Sequence, residues 1–122
     1  TGAMARYEDS ADAYRQAVRL VPNDAQLLVD FADTLAMAQG RSLAGEPERL
    51  IERALAVDPR NVKALALGGT AAFGRGDYAQ ASTLWKRVLE IVPPDSEMAQ
   101  RIQASLAQAA GRSKATLDGG SK

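Results

Sequence analysis

The sequence contains no cysteine and no histidine. The chain therefore cannot form a disulfide, has neither a thiolate nucleophile nor an imidazole base, and lacks the usual zinc ligands. Its 15 basic and 15 acidic side chains give a formal charge of zero, which provides no general attraction to nucleic acid or to an anionic membrane surface. These absences exclude most familiar catalytic and metal sites and leave carboxylate or Ser/Lys chemistry, or a role without chemistry.

Aromatic and β-branched residues are also scarce. Aromatic side chains make up 5% of the 122 residues, and alanine outnumbers valine, isoleucine and threonine combined. Because alanine favours helices and the scarce residue types favour strands, the composition predicts one all-α domain. No apolar run reaches the length of about 20 residues that a membrane span needs, and the opening TGAM does not predict a signal peptide.

A short phrase recurs three times, as AVRLVPND at 17–24, ALAVDPRN at 54–61 and VLEIVPPD at 88–95. In each copy the apolar end of a helix is followed by proline and then by polar residues that can cap the next helix. The prolines Pro22, Pro59 and Pro93 are separated by 37 and 34 residues. This periodicity predicts repeated helix–turn–helix joints.

The joints divide residues 1–110 into stacked helix pairs. Residues 62–93 form one repeat with helices at 62–75 and 78–91, where Gly76 ends the first helix and Asp77 caps the second. Residues 25–58 form a repeat with helices at 25–39 and 47–57 and an inner loop enlarged at 40–45. Residues 5–22 match only a second helix, so we expect the chain to begin inside a longer array. We expect a capping helix at 96–110 and a flexible tail at 111–122.

The last repeat carries a specific resemblance. The stretch GGTAAFGRGDYAQASTLWKRVLEIVPPD resembles a tetratricopeptide (TPR) repeat, although Val88 replaces the usual alanine. The resemblance implies about six helices in a right-handed superhelix of antiparallel pairs, with a concave side lined by the first helix of each repeat. The matching positions are Gly69, Gly76, Asp77, Tyr78, Ala81, Trp85 and Pro93.

The enlarged loop GRSLAGEP, the stretch ALALGGTAAF and the WKRVL segment resemble the TPR domain of the CycH/CcmI family of c-type cytochrome biogenesis proteins. The resemblance covers roughly residues 5 to 110. It implies a bacterial membrane-anchored protein whose TPR domain lies on the periplasmic side of the inner membrane. There the domain would hold the C-terminal helix of an apocytochrome c and present it to the haem-attachment (haem lyase) complex.

The repeat register also predicts which side chains form the binding groove. First-helix residues that do not pack on the second helix should point into the concave side, where a small apolar floor suits an amphipathic helix. Gly74 belongs to the same first-helix set, and Glu97, Gln100 and Arg101 of the capping helix could complete the wall. The predicted groove residues are Gln26, Val29, Asp33, Ala36, Met37, Lys63, Ala66, Thr70, Phe73 and Arg101.

Two interpretations stay open for several of these positions. Met37 and Phe73 have the spacing of core residues as well, and Phe73 could fold back under Trp85, which we assign to the core. The adjacent Gly68 and Gly69 indicate either close helix packing or a backbone pressed against a ligand.

The sequence also bears on three other function classes. Asp30 and Asp33 share a helix face, but such pairs are usually solvated, so we expect no enzyme activity, no cofactor and no metal. Lys86 and Arg87 are flanked by Glu90, which does not make the basic stripe that nucleic-acid binding needs. The main alternative is a generic TPR scaffold for an unrelated partner, or for oligomerisation through the end at which the first helix is missing.

Overall fold

The computed structural model describes the backbone of residues 2–120 and the side chains of residues 2–114. This part of the chain forms six helices and no strand, so the prediction of an all-α fold is confirmed. The helices are α1 (Gly2–Leu20), α2 (Ala25–Ala38), α3 (Glu46–Val57), α4 (Val62–Gly74), α5 (Tyr78–Ile91) and α6 (Glu97–Gly120).

Local capping explains where the central helices begin and end. The side chains of Asp24, Asn61 and Asp77 each accept a hydrogen bond from the backbone N–H three residues later, at 2.9 to 3.1 Å. Such bonds satisfy N–H groups that have no partner within the helix. Between α4 and α5, Gly76 has φ of 81°, a left-handed conformation that glycine adopts without steric cost.

Each helix packs against the next one along the chain, and α2 also contacts α4. Short connections make consecutive helices antiparallel, as expected for stacked pairs. The buried residues form two clusters, one built on α1, α2 and α3 with Ala64 of α4, the other built on α4, α5 and α6. Leu55 of α3 packs against both clusters and connects them.

The contact between α4 and α5 is close because of Gly69. The indole of Trp85 is only 5% exposed, and its Nε1 donates a 3.1 Å hydrogen bond to the carbonyl oxygen of Ala66. A Cβ atom on Gly69 would lie 2.2 Å from that nitrogen. The core assignment of Trp85 is thereby confirmed, and the glycine pair serves close helix packing.

Side chains from three helices hold α1 in place. The Arg15 guanidinium donates to both carboxylate oxygens of Glu46, at 2.8 and 3.0 Å, and lies 5.0 Å from the ring centre of Phe31. The ring of Tyr14 stacks on Phe31 at 6.3 Å. The hydrogen bonds from Arg15 outweigh partial burial and lower the pKa of Glu46. This pair therefore stays ionised at neutral pH and connects α1 to α3.

The terminal helices are longer than the sequence indicated. α1 begins at Gly2 rather than residue 5, and α6 continues to Gly120 through the segment predicted as a flexible tail. The predicted tail began at residue 111, but Gly111 does not take the positive φ that ends helices at glycine. The alanines before Gly111 favour a helix, so α6 propagates past it. Residues 121–122 of the predicted tail lie outside the described residues.

Candidate functional site

A polar network joins the first halves of α2 and α4. The Lys63 ammonium contacts Asp30 at 2.9 Å and Asp33 at 3.1 Å. The Gln26 side chain donates to Asp30 at 2.9 Å and accepts a 3.1 Å hydrogen bond from the side chain of Asn61. We call these five residues the α2–α4 polar network. The structure thus brings three of the predicted groove residues, Gln26, Asp33 and Lys63, into one network.

The two carboxylates hold the Lys63 side chain in its charged form. Partial burial by itself would lower the pKa of Lys63, but hydrogen bonds to Asp30 and Asp33 outweigh it and raise that pKa. Two carboxylates and one ammonium leave a net charge of about −1 on this surface. Since Lys63 is already paired with two carboxylates, the network offers a ligand acceptor oxygens rather than a free cation.

Less polar side chains continue the same face towards the helix C-termini. Met37 lies one turn beyond Asp33 on α2 and is half-buried. On α4, Ala66, Thr70 and Phe73 follow Lys63 at helical spacing. We call this surface, from the α2–α4 polar network to Met37 and Phe73, the groove face.

Phe73 takes part in the core as well as in the groove face. Its ring centre lies 5.2 Å from that of Tyr78 and 6.0 Å from that of Trp85, and the ring is half-buried. The guanidinium of Arg112 on α6 lies 5.8 Å from the ring centre of Phe73. The interpretation that Phe73 folds against Trp85 is therefore correct, and the partly exposed ring is covered by a cation.

Two predicted groove residues are wrong. Val29 is 0% exposed and Ala36 is 4% exposed, so neither is available to a ligand. The corresponding residues of α4, Ala66 and Phe73, are half-buried at the edge of the second cluster. Val29, by contrast, lies inside the cluster built on α1, α2 and α3.

The remaining predicted groove residues lie at the margins of the groove face. Thr70 is exposed, and its hydroxyl donates to the Ala66 carbonyl oxygen within α4. With Gly74 it lines a cleft of about 280 Å³ beside the enlarged loop. Arg101 is exposed on α6, but Arg112 is the arginine that contacts Phe73. Arg112 was missed because it belongs to the segment predicted as a tail.

Side-chain hydrogen bonds fold the enlarged loop on itself. The Gln39 amide donates to the carbonyl oxygens of Ser42 and Ala44, at 3.2 and 3.3 Å. At the edge of the same cleft, Arg75 at the end of α4 forms an ion pair with Glu48 of α3. The first contacts fold the loop on itself, and the ion pair joins α3 to the C-terminal end of α4.

Sequence reasoning also missed two members of the network. Asp30 was noted only as a possible carboxylate pair with Asp33, although its spacing from Gln26 places both on one face of α2. Asn61 was assigned only a capping role, yet its side chain does two things: the oxygen caps α4 and the nitrogen reaches Gln26.

An open cleft borders the network at two of the helix–turn–helix joints. Leu20, Val57, Gln26 and Asn61 are among the residues that line it. Leu20 is 84% exposed and Val57 is 42% exposed, which is unusual for large aliphatic side chains. The polar network therefore has an apolar rim.

The described residues contain neither a metal-binding cluster nor a membrane-spanning helix. No three His, Cys, Asp or Glu side chains among them are grouped as a metal site would require. Among the same residues, no helix combines the length and the apolar character of a membrane span.

Residues 1–99 match the family described as the cytochrome c-type biogenesis protein H TPR domain. The chain belongs to this family. A domain of this family is a TPR module, an architecture that serves protein interaction, and the sequence-based assignment to c-type cytochrome biogenesis is confirmed.

Individual members of the family are similar over most of this chain. The formate-dependent nitrite reductase complex subunit NrfG of Escherichia coli O157:H7 is 32% identical over 80% of the chain and 50% of its own length. The cytochrome c-type biogenesis protein CycH of Pseudomonas aeruginosa is 30% identical over 88% of the chain and 26% of its own length. The chain thus spans half or less of these relatives.

Solved structures confirm the TPR-type fold. The first TPR of Spaghetti bound to HSP90 peptide SRMEEVD superposes with a TM-score of 0.72 at 21% identity, covering 88% of this chain and 82% of that one. The Yersinia enterocolitica type III secretion translocator chaperone SycD gives a TM-score of 0.76 at 13% identity, covering 90% and 76%. At these identities the likeness concerns the fold alone.

Proposed function

We propose that this domain holds the C-terminal helical segment of an apocytochrome c for haem attachment, and that it catalyses no reaction itself. Membership of the cytochrome c-type biogenesis family supports the biological context. The groove face supports the binding role, because it combines exposed acceptor oxygens with adaptable apolar side chains. The observation that carries the proposal is this mixed surface on the first helices of two neighbouring repeats.

The chemistry of the groove face suits an amphipathic helix with basic residues or a free N-terminal turn. The Asp30 and Asp33 carboxylates can accept hydrogen bonds from lysine side chains or from the positive end of a helix. Met37 and the rim residues Leu20 and Val57 can cover the apolar side of the same helix. An acidic peptide would face a net negative network in which Lys63 is already paired.

The proposal extends to the setting of the whole protein. We place the domain on the periplasmic side of the bacterial inner membrane, with subunits of the haem-attachment complex as further partners and no nucleic acid. Any membrane contact would be made by segments outside this sequence. The net charge of zero agrees with a domain that binds a particular polypeptide rather than a charged polymer.

Isothermal titration with a C-terminal helical peptide of an apocytochrome c tests the proposal. Met37→Glu places a charge on the half-buried apolar part of the groove face and should weaken binding about tenfold or more, equivalent to roughly 1.4 kcal/mol. The matched control is Lys86→Glu on α5, an exposed position of the second helix, which should leave the affinity unchanged.

Two results would contradict the proposal. One is an affinity that Met37→Glu leaves intact while Lys86→Glu lowers it, because binding would then use the opposite surface. The other is equal binding of an unrelated amphipathic helix of the same charge, which would favour the generic TPR scaffold over a cytochrome-specific module.

A further inference from the structure

The groove face carries opposite charges at its two ends. Because consecutive helices are antiparallel, α2 and α4 run in the same direction, and their N-terminal halves lie at the same end of the groove face. The α2–α4 polar network lies at that end, where Asp30, Asp33 and Lys63 leave a net charge of about −1.

The opposite end of the groove face carries arginines. Arg41 follows α2 directly: its backbone N–H donates a 2.8 Å hydrogen bond to the carbonyl oxygen of Ala36, and the residue lines the cleft of about 280 Å³ together with Arg75. The guanidinium of Arg112 lies 5.8 Å from the ring centre of Phe73. We call Arg41, Arg75 and Arg112 the basic end of the groove face.

Two of these three cations are available to a ligand. Arg75 is paired with Glu48 and lies 3.8 Å from a carboxylate oxygen of Asp77. Among residues 2–114, no carboxylate forms an ion pair with Arg41 or Arg112, and both side chains are exposed. Three guanidinium groups and two carboxylates leave a net charge of about +1 at the basic end.

The distance between the two ends suits a short helix. Ten residues of α4 lead from Lys63 to Phe73, which corresponds to about 15 Å at a rise of about 1.5 Å per residue. At physiological ionic strength the screening length is roughly 8 Å, so a bound group interacts mainly with the charge at its own end. A helix of about three turns can therefore place its two termini against opposite charges.

A helical ligand has charges of its own at its termini. Its N-terminal turn carries about half a positive charge and its C-terminal turn about half a negative charge, to which a free C-terminus adds a full negative charge. The half-charges at the ends of α2 and α4 act in the opposite sense, but they fade within one turn, and the Asp24 carboxylate offsets the one at the start of α2. The full charges on the side chains therefore decide the direction.

We propose that the helical segment bound on the groove face lies parallel to α2 and α4, with its N-terminal turn at the α2–α4 polar network and its C-terminal carboxylate at the basic end. The inference rests on the proposed function, since it takes the C-terminal segment of an apocytochrome c as the ligand. The reverse direction would bring the terminal carboxylate against Asp30 and Asp33 and the N-terminal turn against Arg41 and Arg112, so that like charges would meet at both ends.

Nitroxide labels on a C-terminal apocytochrome peptide measure its direction. The chain has no cysteine, so a label attached through a cysteine added to the peptide stays on the peptide. A label on the first turn of the peptide should broaden the amide signals of Gln26 and Lys63 most strongly in the 15N-labelled chain. A label on the last turn should instead broaden those of Arg41, Gly74 and Arg75. The same peptides with the nitroxide reduced are the control.

Amidation of the peptide tests the contact made by its terminal carboxylate. Amidation should weaken binding about twofold to fivefold, the range expected of an exposed ion pair. This difference should disappear in a chain that carries both Arg41→Gln and Arg112→Gln. The matched control is Arg87→Gln, at an exposed position of α5, which should preserve the difference. Because all three arginines are exposed, none of these substitutions disturbs the core.

Four results would overturn the inference. They are the reverse broadening pattern, equal broadening of both ends by each label, an affinity that amidation leaves unchanged, and the same loss on amidation in the double variant as in the parent chain. In each of these the peptide is bound, so the proposed function would stand. A peptide that does not bind at millimolar concentration would contradict the proposed function and this inference together.

Discussion

Gly69→Ala should destabilise the domain although alanine is the better helix former. In an open helix interior the change gains about 1 kcal/mol. Here the new Cβ atom would lie 2.2 to 2.7 Å from Nε1, Cδ1 and Cε2 of Trp85. Ordinary carbon contacts lie at about 3.5–4.0 Å, so the indole or α4 must move by more than about 1 Å.

The magnitude follows from two costs and one gain. Overpacking a rigid core costs about 1–3 kcal/mol. Moving the indole also breaks its hydrogen bond to the Ala66 carbonyl and leaves a buried donor without a partner, which costs about 1–3 kcal/mol. After subtracting the helix-propensity gain of about 1 kcal/mol, we expect a net loss of about 3 kcal/mol, within a range of roughly 1–5.

Two other glycines of α4 provide matched controls. A Cβ on Gly74 would have nothing within 4 Å, so Gly74→Ala should stabilise by up to about 1 kcal/mol. A Cβ on Gly68 would meet Leu84 at 3.2 Å and Ile51 at 3.4 Å, so Gly68→Ala should fall between the two. Urea unfolding followed by circular dichroism and by fluorescence of Trp85, the single tryptophan, measures all three. The reasoning is refuted if Gly69→Ala is as stable as Gly74→Ala.

Three further substitutions test the Arg15–Glu46 ion pair and the burial of Val29. Glu46→Gln should cost about 0.5–1 kcal/mol at pH 7, because the Arg15 pair is partly exposed. Because the pKa of Glu46 is lowered in the folded state, the ion pair contributes stability above the ordinary carboxyl pKa of about 4.3. This contribution is lost as the pH falls through the lower folded-state pKa, so the urea midpoints of variant and parent should converge in acid. A constant difference between the midpoints would contradict the assignment. Val29→Ala should cost about 1.5–3 kcal/mol, whereas Thr70→Ala at an exposed position should change stability by less than about 0.5 kcal/mol. If Val29→Ala and Thr70→Ala change stability equally in thermal or urea unfolding, Val29 is not a core residue and belongs to the groove face.

The central helices could be predicted because their boundaries are encoded locally. Asp24, Asn61 and Asp77 precede apolar periodic segments, and Gly76 ends one helix just before the next is capped. Capping bonds span three residues, so they need no knowledge of the rest of the fold. The repeat of 34 residues then fixed how the helices pair.

The site depended on tertiary contacts that no local pattern reports. Val29 and Ala66 occupy equivalent positions, yet only Val29 is fully buried, because it lies inside the cluster of α1, α2 and α3 whereas Ala66 lies at the edge of the other cluster. Arg112 reaches Phe73 only because α6 continues beyond Gly111. The pairing of Lys63 with two aspartates of α2 likewise depends on how the two first helices are placed side by side.

The connection between α2 and α3 shows where extra chain length can be accommodated. It makes its repeat three residues longer than the next, but Gln39 folds the additional residues back on themselves, and Leu50, Ile51 and Ala54 of α3 remain buried. Doubling the length of a closed loop costs only about 0.6 kcal/mol in chain entropy. An inserted epitope or fluorescent label should therefore be tolerated here, with the superhelix on either side unchanged.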